Sequence, residues 1–193
     1  MNKTEQSRKA YNRKAANYDA TYDGKVTQSL KRMMLNIIEV RNGQTVVDVA
    51  CGTGSLIAAV SKKANIQTHG IDIAEQMIKV AGEIHKGISF KVAPSVPLPF
   101  GNASVDVILV SAAFHHFEEP QRFADECVRV LHAGGKVYIG EFCVSSVARH
   151  IMNFAVRFLR SGDVRMYSDA ELAVIFSRAG LDITDKRMER TVL

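Results

Sequence analysis

Val46-Val47-Asp48-Val49-Ala50-Cys51-Gly52-Thr53-Gly54-Ser55-Leu56 is an apolar run that ends in small residues and reopens as a helix. Its β-branched residues predict a buried strand, and its small residues predict a turn that lets a ligand approach the main chain. Amide N–H groups at the start of the next helix, with the positive end of its dipole, then face a bound carboxylate or phosphate. Asp48 stands just before the turn, where it either fixes the loop by accepting main-chain N–H bonds or reaches a ligand ammonium. Spacing separates the nucleotide-loop alternatives. A dinucleotide fingerprint G-x-G-x-x-G needs glycines at 50, 52 and 55, where this chain has Ala50, Gly52 and Ser55. A phosphate-binding P-loop needs a lysine directly after Gly54, and the next lysine is Lys62.

Outward from this stretch, short β-branched runs alternate with helical ones. Strands are predicted near 45–49, 67–72, 88–92, 105–111 and 136–142, and helical periodicity covers 53–63, 74–85 and 120–132. This is the pattern of βαβ units, so the predicted fold is α/β: a doubly wound, mostly parallel sheet with helices on both faces. Residues 4–40 read as a mostly helical segment, with Leu30, Met33, Met34, Ile37 and Ile38 at helical spacing. Beyond the fifth strand, 145–160 reads as a helix. Another is opened by Ser168 with Glu171 three residues on, a capping-box pattern, and closed by Gly180. The thirteen residues after Gly180 suffice for one strand, 181–188, and the start of another.

A second signal is His69-Gly70-Ile71-Asp72-Ile73, an apolar strand ending in a carboxylate twenty positions after Gly52. In a βαβ unit Asp72 lies beside the first loop, where it accepts both ribose hydroxyls of a nucleoside; capping the helix at 74–85 is its structural alternative. The 193 residues are 47% hydrophobic and 23% charged, which suits one domain. The opening MNKTEQSRKAYNRK is polar and basic, and no apolar run has the length of a membrane span, so a cytoplasmic protein without membrane insertion is expected. Cys51, Cys127 and Cys143 are odd in number and far apart, which predicts reduced thiols. The net charge of +5 is concentrated in residues 1–41, with nine Lys/Arg against four Asp/Glu. No aromatic-basic interleaving accompanies it, so a nucleic-acid partner is not expected.

Taken together, YNRKAANYD (11–19), the loop 46–54, Gly70–Asp72, LPF (98–100), VDVIL (105–109), His115-His116-Phe117 and LHAGGKVYIGE (131–141) resemble the class I S-adenosylmethionine (SAM)-dependent methyltransferases, in particular the ubiquinone/menaquinone C-methyltransferase group. The resemblance runs from residue 11 to about 180. It implies a Rossmann-like fold, SAM as cofactor with S-adenosylhomocysteine as product, and a methyl acceptor. Carried over by position, it puts Asp48, Ala50, Gly52 and Gly54 around the methionine end of SAM, Asp72 on the ribose, and Ile73 and Met77 against the adenine. Ser111 contributes main-chain contacts to the methionine amino group, and Tyr18 closes over the cofactor. Where the family often has Gly-Asp-Ala before LPF, this chain has Ala93, Pro94 and Ser95. Pro94 replaces the adenine-binding carboxylate, with Ser95 as partial compensation.

The expected function is methyl transfer to a small-molecule acceptor by in-line displacement. The alternatives are a nucleic-acid methyltransferase and a non-catalytic SAM-binding regulator. A base is needed only if the acceptor must lose a proton, and His115 and His116 are the candidates. No metal is expected, because adjacent histidines diverge and no carboxylate cluster accompanies them. The expected organisation is a single domain, 1–193: an N-terminal helical lid (1–42), a SAM-binding core (43–144), and an acceptor cap with a C-terminal strand (145–193). So short a C-terminus leaves an unpaired sheet edge, which either a shortened chain or a dimer-forming edge explains; a homodimer is accordingly one of the expected states. In Ser145–Arg160, Val147, Ile151, Phe154 and Phe158 make an apolar stripe, with Arg149, Asn153 and Arg157 on another. That helix is expected to cover the acceptor pocket with its apolar side; ordinary core packing and a membrane-surface role for the arginines are the other readings.

Overall fold

The computed structural model describes residues 2–159 and 162–188. Strands β1 (Thr45–Val49), β2 (Gln67–Asp72), β3 (Ser89–Val92), β4 (Val105–Ser111) and β5 (Leu131–Gly140) form one sheet in the order β3-β2-β1-β4-β5. Every pairing is parallel. The chain winds outward from β1 to β3, then returns and winds the other way through β4 and β5. Its direction therefore reverses between β1 and β4, the place where open α/β sheets leave a crevice at the carboxyl ends of their strands.

Alternation along the strands sorts their side chains into two cores. Val47, Val49, Ile108 and Val110 pack with Phe114, Phe117, Phe123, Cys127 and Phe176, beneath α5 (Pro120–Val130) and α7 (Asp169–Arg178). Val46, Val107 and Leu109 point the other way, onto Met34 of α2 (Tyr22–Ile37), Ile38 just beyond it, and Leu56, Ile57 and Val60 of α3 (Ser55–Val60). Helices thus cover both faces, as the strand pattern requires.

The N-terminal segment consists of α1 (Lys3–Lys14), a 3-10 stretch (Ala15–Ala20) and α2. Ala15 and Tyr18 join Ala74 and Met77 in a third, small apolar cluster against α4 (Glu75–Ile84). Polar contacts reinforce it: Glu75 accepts from Arg8 at 2.5 Å and from Asn12 at 2.6 Å. The segment is thereby anchored over the carboxyl edge of the sheet.

Three expectations are corrected. β5 begins at Leu131, directly after α5, because a register irregularity pairs Val105 with Leu131 but Val107 with Lys136. The helix expected over 145–160 is shorter: α6 spans Ser146–Ala155, capped by Ser145, and Arg160 lies outside the described residues. Residues 181–188 form no strand. Ile183 and Met188 there are largely exposed, and Lys186 pairs with Asp169 at the start of α7, so the segment follows a helix and not the sheet edge. The second C-terminal strand would fall on 189–193, outside the described residues. The capping box is present, with Ser168 accepting from the Glu171 N–H at 3.2 Å and Glu171 accepting from the Ser168 N–H at 2.8 Å.

Candidate active site

A cavity of about 1130 Å³, counted with its mouth, opens at the carboxyl ends of β1, β2 and β4. The loop after β1 shapes its floor. Ala50 and Gly52 adopt left-handed backbone conformations, φ 55° and 56°, which curl the chain at the strand end. A Cβ built on Gly52 would meet nothing within 4 Å, so this glycine keeps space open beside the main chain. Gly54 differs: it caps α3 at φ 76°, and a Cβ there would fall 2.6 Å from the Phe90 ring. Of the eleven residues expected around a cofactor, Tyr18, Asp48, Ala50, Gly52, Asp72, Ile73, Met77, Pro94, Ser95 and Ser111 line the cavity, and Gly54 does not.

Two carboxylates dominate the electrostatics. Asp48 is 1% exposed, and its Oδ1 has no hydrogen-bond partner. Burial pushes its carboxyl up to about 7 against the pull of the Lys31 charge and the Ile57 amide, while nearby Asp72 adds to the rise. Lys31, on α2, donates to Ser55 Oγ at 2.8 Å and also lines the cavity. Asp72 ties two elements together, its Oδ2 accepting the Gly52 N–H at 2.9 Å and its Oδ1 the Ala74 N–H at 2.8 Å. It therefore serves the helix start as well as the wall, and each oxygen keeps a lone pair for a ligand hydroxyl. Ser111 is buried with an unpartnered Oγ on the same wall. Unpartnered buried oxygens are costly in an empty site, and a cationic or hydroxyl-bearing ligand satisfies them. An aminoacyl-nucleoside such as SAM, with an ammonium at one end and a ribose at the other, fits this donor set.

The two histidines have different positions. His116 lines the cavity and His115 does not. His116 Nε2 lies 3.0 Å from the Tyr11 hydroxyl, and Nδ1 lies 3.3 Å from Asp163 Oδ1. Burial, with the neighbouring His115, lowers its pKa to about 4 although Asp163 opposes this, so the ring is neutral at pH 7. His115 is opposite in sense. Burial disfavours its charge, but hydrogen bonding to Glu141 at 2.9 Å and the charges of Glu141 and Asp163 more than offset that and hold its pKa above the usual histidine value. The expectation that adjacent histidines diverge is therefore corrected: the 3-10 turn Phe114–His116 brings the rings to 4.1 Å, and both face Asp163. Asp163, 47 positions beyond His116, carried no signal in the sequence, and neither did Tyr11 or Lys31 as individual site residues. Tyr11 alone lay inside a quoted segment.

Residues 47–139 match the family model described as a methyltransferase domain. The demethylmenaquinone methyltransferase of Thermotoga maritima is 33% identical over 127 residues, 65% of this chain and 55% of that protein. The 27-O-demethylrifamycin SV methyltransferase of Amycolatopsis mediterranei is 24% identical over 164 residues, 81% of this chain and 60% of that protein. A Haloferax volcanii complex between the Trm112 methyltransferase activator and a putative methyltransferase superposes with a TM-score of 0.79 at 25% identity, covering 91% of this chain and 77% of the matched one. The chain thus resembles the class I SAM-dependent group by sequence and by fold, and spans little more than half the length of these curated relatives. The matched range runs from within β1 to within β5, and two residues that line the cavity, Tyr11 and Tyr18, lie outside it.

Helix α6 does not contribute to the site. None of its residues lines the cavity. Its polar stripe faces the body of the protein, with Asn153 paired to the Met166 main chain at 2.7 and 3.0 Å and Arg149 3.9 Å from Glu171. Val147, Ile151 and Phe154 are 63–69% exposed, and Phe158 beyond the helix is 74% exposed. The expected apolar cover is thus inverted, because the polar side finds better partners on the 165–171 segment than solvent offers.

Proposed function

We propose that the protein is a SAM-dependent methyltransferase acting on a small-molecule acceptor. The observation that carries this reading is the pairing, in one cavity, of the unpartnered Asp48 Oδ1 with the Asp72-tethered loop of Gly52. Asp48 and Ser111 would hold the methionine ammonium, the space kept open beside Gly52 would take the rest of the methionyl group, and Asp72 would hold the ribose hydroxyls; Ile73, Met77, Pro94 and Ser95 would enclose the adenine. When bound, SAM supplies an electrophilic methyl group on a sulfonium. Tyr11 and Tyr18 on the N-terminal segment exclude water from the cavity, and the acceptor binds beside the Tyr11–His116 pair. Tyr11 relays the proton that a hydroxyl or amine acceptor releases: its oxygen takes that proton as its own passes to Nε2 of His116, which is neutral at pH 7. The named acceptors of the relatives, a demethylmenaquinone and a rifamycin, support a small organic acceptor here.

The same reading includes a cytoplasmic enzyme without a nucleic-acid partner, consistent with three free cysteines. No described helix is long and apolar enough to cross a membrane. The outer edge of β5, which pairs with β4 on one side, is the surface on which a homodimer would form. The decisive experiment is an acceptor screen read by release of S-adenosylhomocysteine, joined to calorimetry of SAM binding. SAM is expected to bind and NAD not to. Asp72→Ala is expected to weaken SAM binding by about 1.5–3 kcal/mol, the scale of hydrogen bonds to a charged group. Unchanged SAM affinity in that variant overturns the assignment.

A further inference from the structure

Methyl transfer uses the Nε2 side of His116 and leaves the other side unexplained. There, His115 Nε2 and His116 Nδ1 stand 3.7 and 3.3 Å from one oxygen, Asp163 Oδ1, and the three atoms lie within 4.8 Å of one another. Donors bound to zinc at about 2.0–2.1 Å in a tetrahedral arrangement are roughly 3.3 Å apart. The His116–Asp163 spacing is already that of a ligand set, and the His115 donor has to close on the metal. We propose that His115, His116 and Asp163 form a binding site for a divalent transition-metal ion of the zinc type, with water as the fourth ligand.

The surroundings are those of a held ligand set. His115 Nδ1 is 2.9 Å from Glu141 Oε2, and the other Glu141 oxygen accepts the Phe114 N–H at 2.6 Å, so the carboxylate that orients His115 is itself fixed. A carboxylate on the non-ligating nitrogen is the usual support for a metal-bound histidine. His116 has its far nitrogen on Tyr11. Asp163 is brought to the pair by its own neighbours, since the Val164 and Arg165 N–H groups both donate to the His115 carbonyl, at 2.9 and 3.2 Å. The side chains of the two histidines are 11% exposed and that of Asp163 23%, which leaves a path for an ion and little competing water. Two imidazoles and one carboxylate select zinc-like ions over magnesium or calcium, which require oxygen ligands.

Occupancy has a chemical consequence for the proposed reaction. A metal on Nδ1 of a neutral imidazole leaves the proton on Nε2, so His116 then donates to Tyr11 and can no longer accept a proton from the acceptor. The metal-free protein is thus the form competent for base catalysis, and zinc is an inhibitor of it. This consequence rests on the methyltransferase reading, whereas metal binding does not, so the two are tested separately.

Chelator-stripped protein is titrated with zinc chloride by calorimetry and with cobalt(II) chloride by visible absorption, with magnesium chloride as control. One zinc per chain is expected, with the intense visible bands of four-coordinate cobalt and no magnesium binding. His115→Ala and Asp163→Asn should each weaken zinc binding by at least about ten-fold, while His150→Gln, an exposed histidine outside the cluster, should not. His115→Gln, which keeps a hydrogen-bonding side chain beside Glu141, replaces His115→Ala if circular dichroism shows that the latter is unfolded. The proposal is overturned if zinc does not bind, or if it binds equally to wild type and to folded His115 and Asp163 variants. If zinc binds but release of S-adenosylhomocysteine is unaffected, the metal site stands and the role of His116 as base falls.

Discussion

Gly52 and Gly54 are two residues apart in one loop, yet they serve opposite ends. Gly52→Ala adds a methyl group where nothing lies within 4 Å, in a loop where Ala50 already tolerates a left-handed conformation. It should cost about 1 kcal/mol of stability for the left-handed Cβ and narrow the ligand space. Gly54→Ala places a methyl group into the Phe90 ring at a left-handed position, and should cost about 2–4 kcal/mol from backbone strain and overpacking together. Urea denaturation and SAM calorimetry on both variants check this: the larger stability loss belongs to Gly54→Ala, and the larger affinity loss beyond that expected from unfolding belongs to Gly52→Ala. Equal effects of the two would contradict the assignment of one to the cavity and the other to packing.

At the scale of elements, Glu75 is one of several anchors of α1, beside Glu118, which accepts from Lys3 and Thr4, and the Gln76 N–H, which donates to Asn12. Glu75 carries both Arg8 and Asn12, so Glu75→Ala removes two contacts at once. Because these groups are partly exposed, global stability should change by under about 1 kcal/mol, while amide hydrogen exchange in Lys3–Lys14 accelerates. Unchanged exchange would mean that the Ala15–Tyr18–Met77 cluster and the Lys3 and Thr4 contacts hold the segment without Glu75. Helix α6 gives the contrary case. Phe154 is 63% exposed, so Phe154→Ala should shift stability by no more than about 0.5 kcal/mol and leave SAM affinity and turnover unaltered. A loss of turnover in that variant would restore α6 as an acceptor cover.

Over the whole molecule, the buried Asp48 couples stability to pH. Its folded pKa is raised to about 7 from the 3.8 of a free carboxyl. Its contribution is therefore fully present below about 4 and is lost as the pH rises through about 7, where the folded protein must carry a buried carboxylate that Lys31 only partly compensates. Asp48→Asn should remove this component: the difference in unfolding free energy between variant and wild type grows in favour of the variant from pH 4 to 7 and then levels. The same group links ligand binding to protons. An ammonium beside Asp48 favours the ionised form, so SAM affinity should rise with pH up to about 7 in wild type and be weaker and flatter in Asp48→Asn. Calorimetry between pH 5.5 and 8 reads both, and a wild-type affinity independent of pH would remove Asp48 from the ammonium contact.

The sequence by itself determined the winding of the sheet. The β-branched runs at 45–49 and 105–111 are apolar on both faces, the pattern of strands in a parallel sheet covered by helices on both sides, and the small residues at 50–54 fix where the first strand must turn. It also marked Asp48, Asp72 and Ser111, which sit at strand ends and are brought together by that winding alone. Tertiary structure decided what depends on encounters between distant segments. Asp163 meets His115 and His116 because the Val164 and Arg165 amides bond the His115 carbonyl, Tyr11 reaches His116 because Glu75 and Glu118 anchor α1, and the Lys31 charge acts on Asp48 because α2 packs across Val46 and Leu109. The outward apolar stripe of α6 belongs here too. Periodicity shows that a helix has two unlike faces, but which face turns inward depends on the partners waiting for it, and here Met166 and Glu171 offered the polar one hydrogen bonds and charge that an apolar pocket could not.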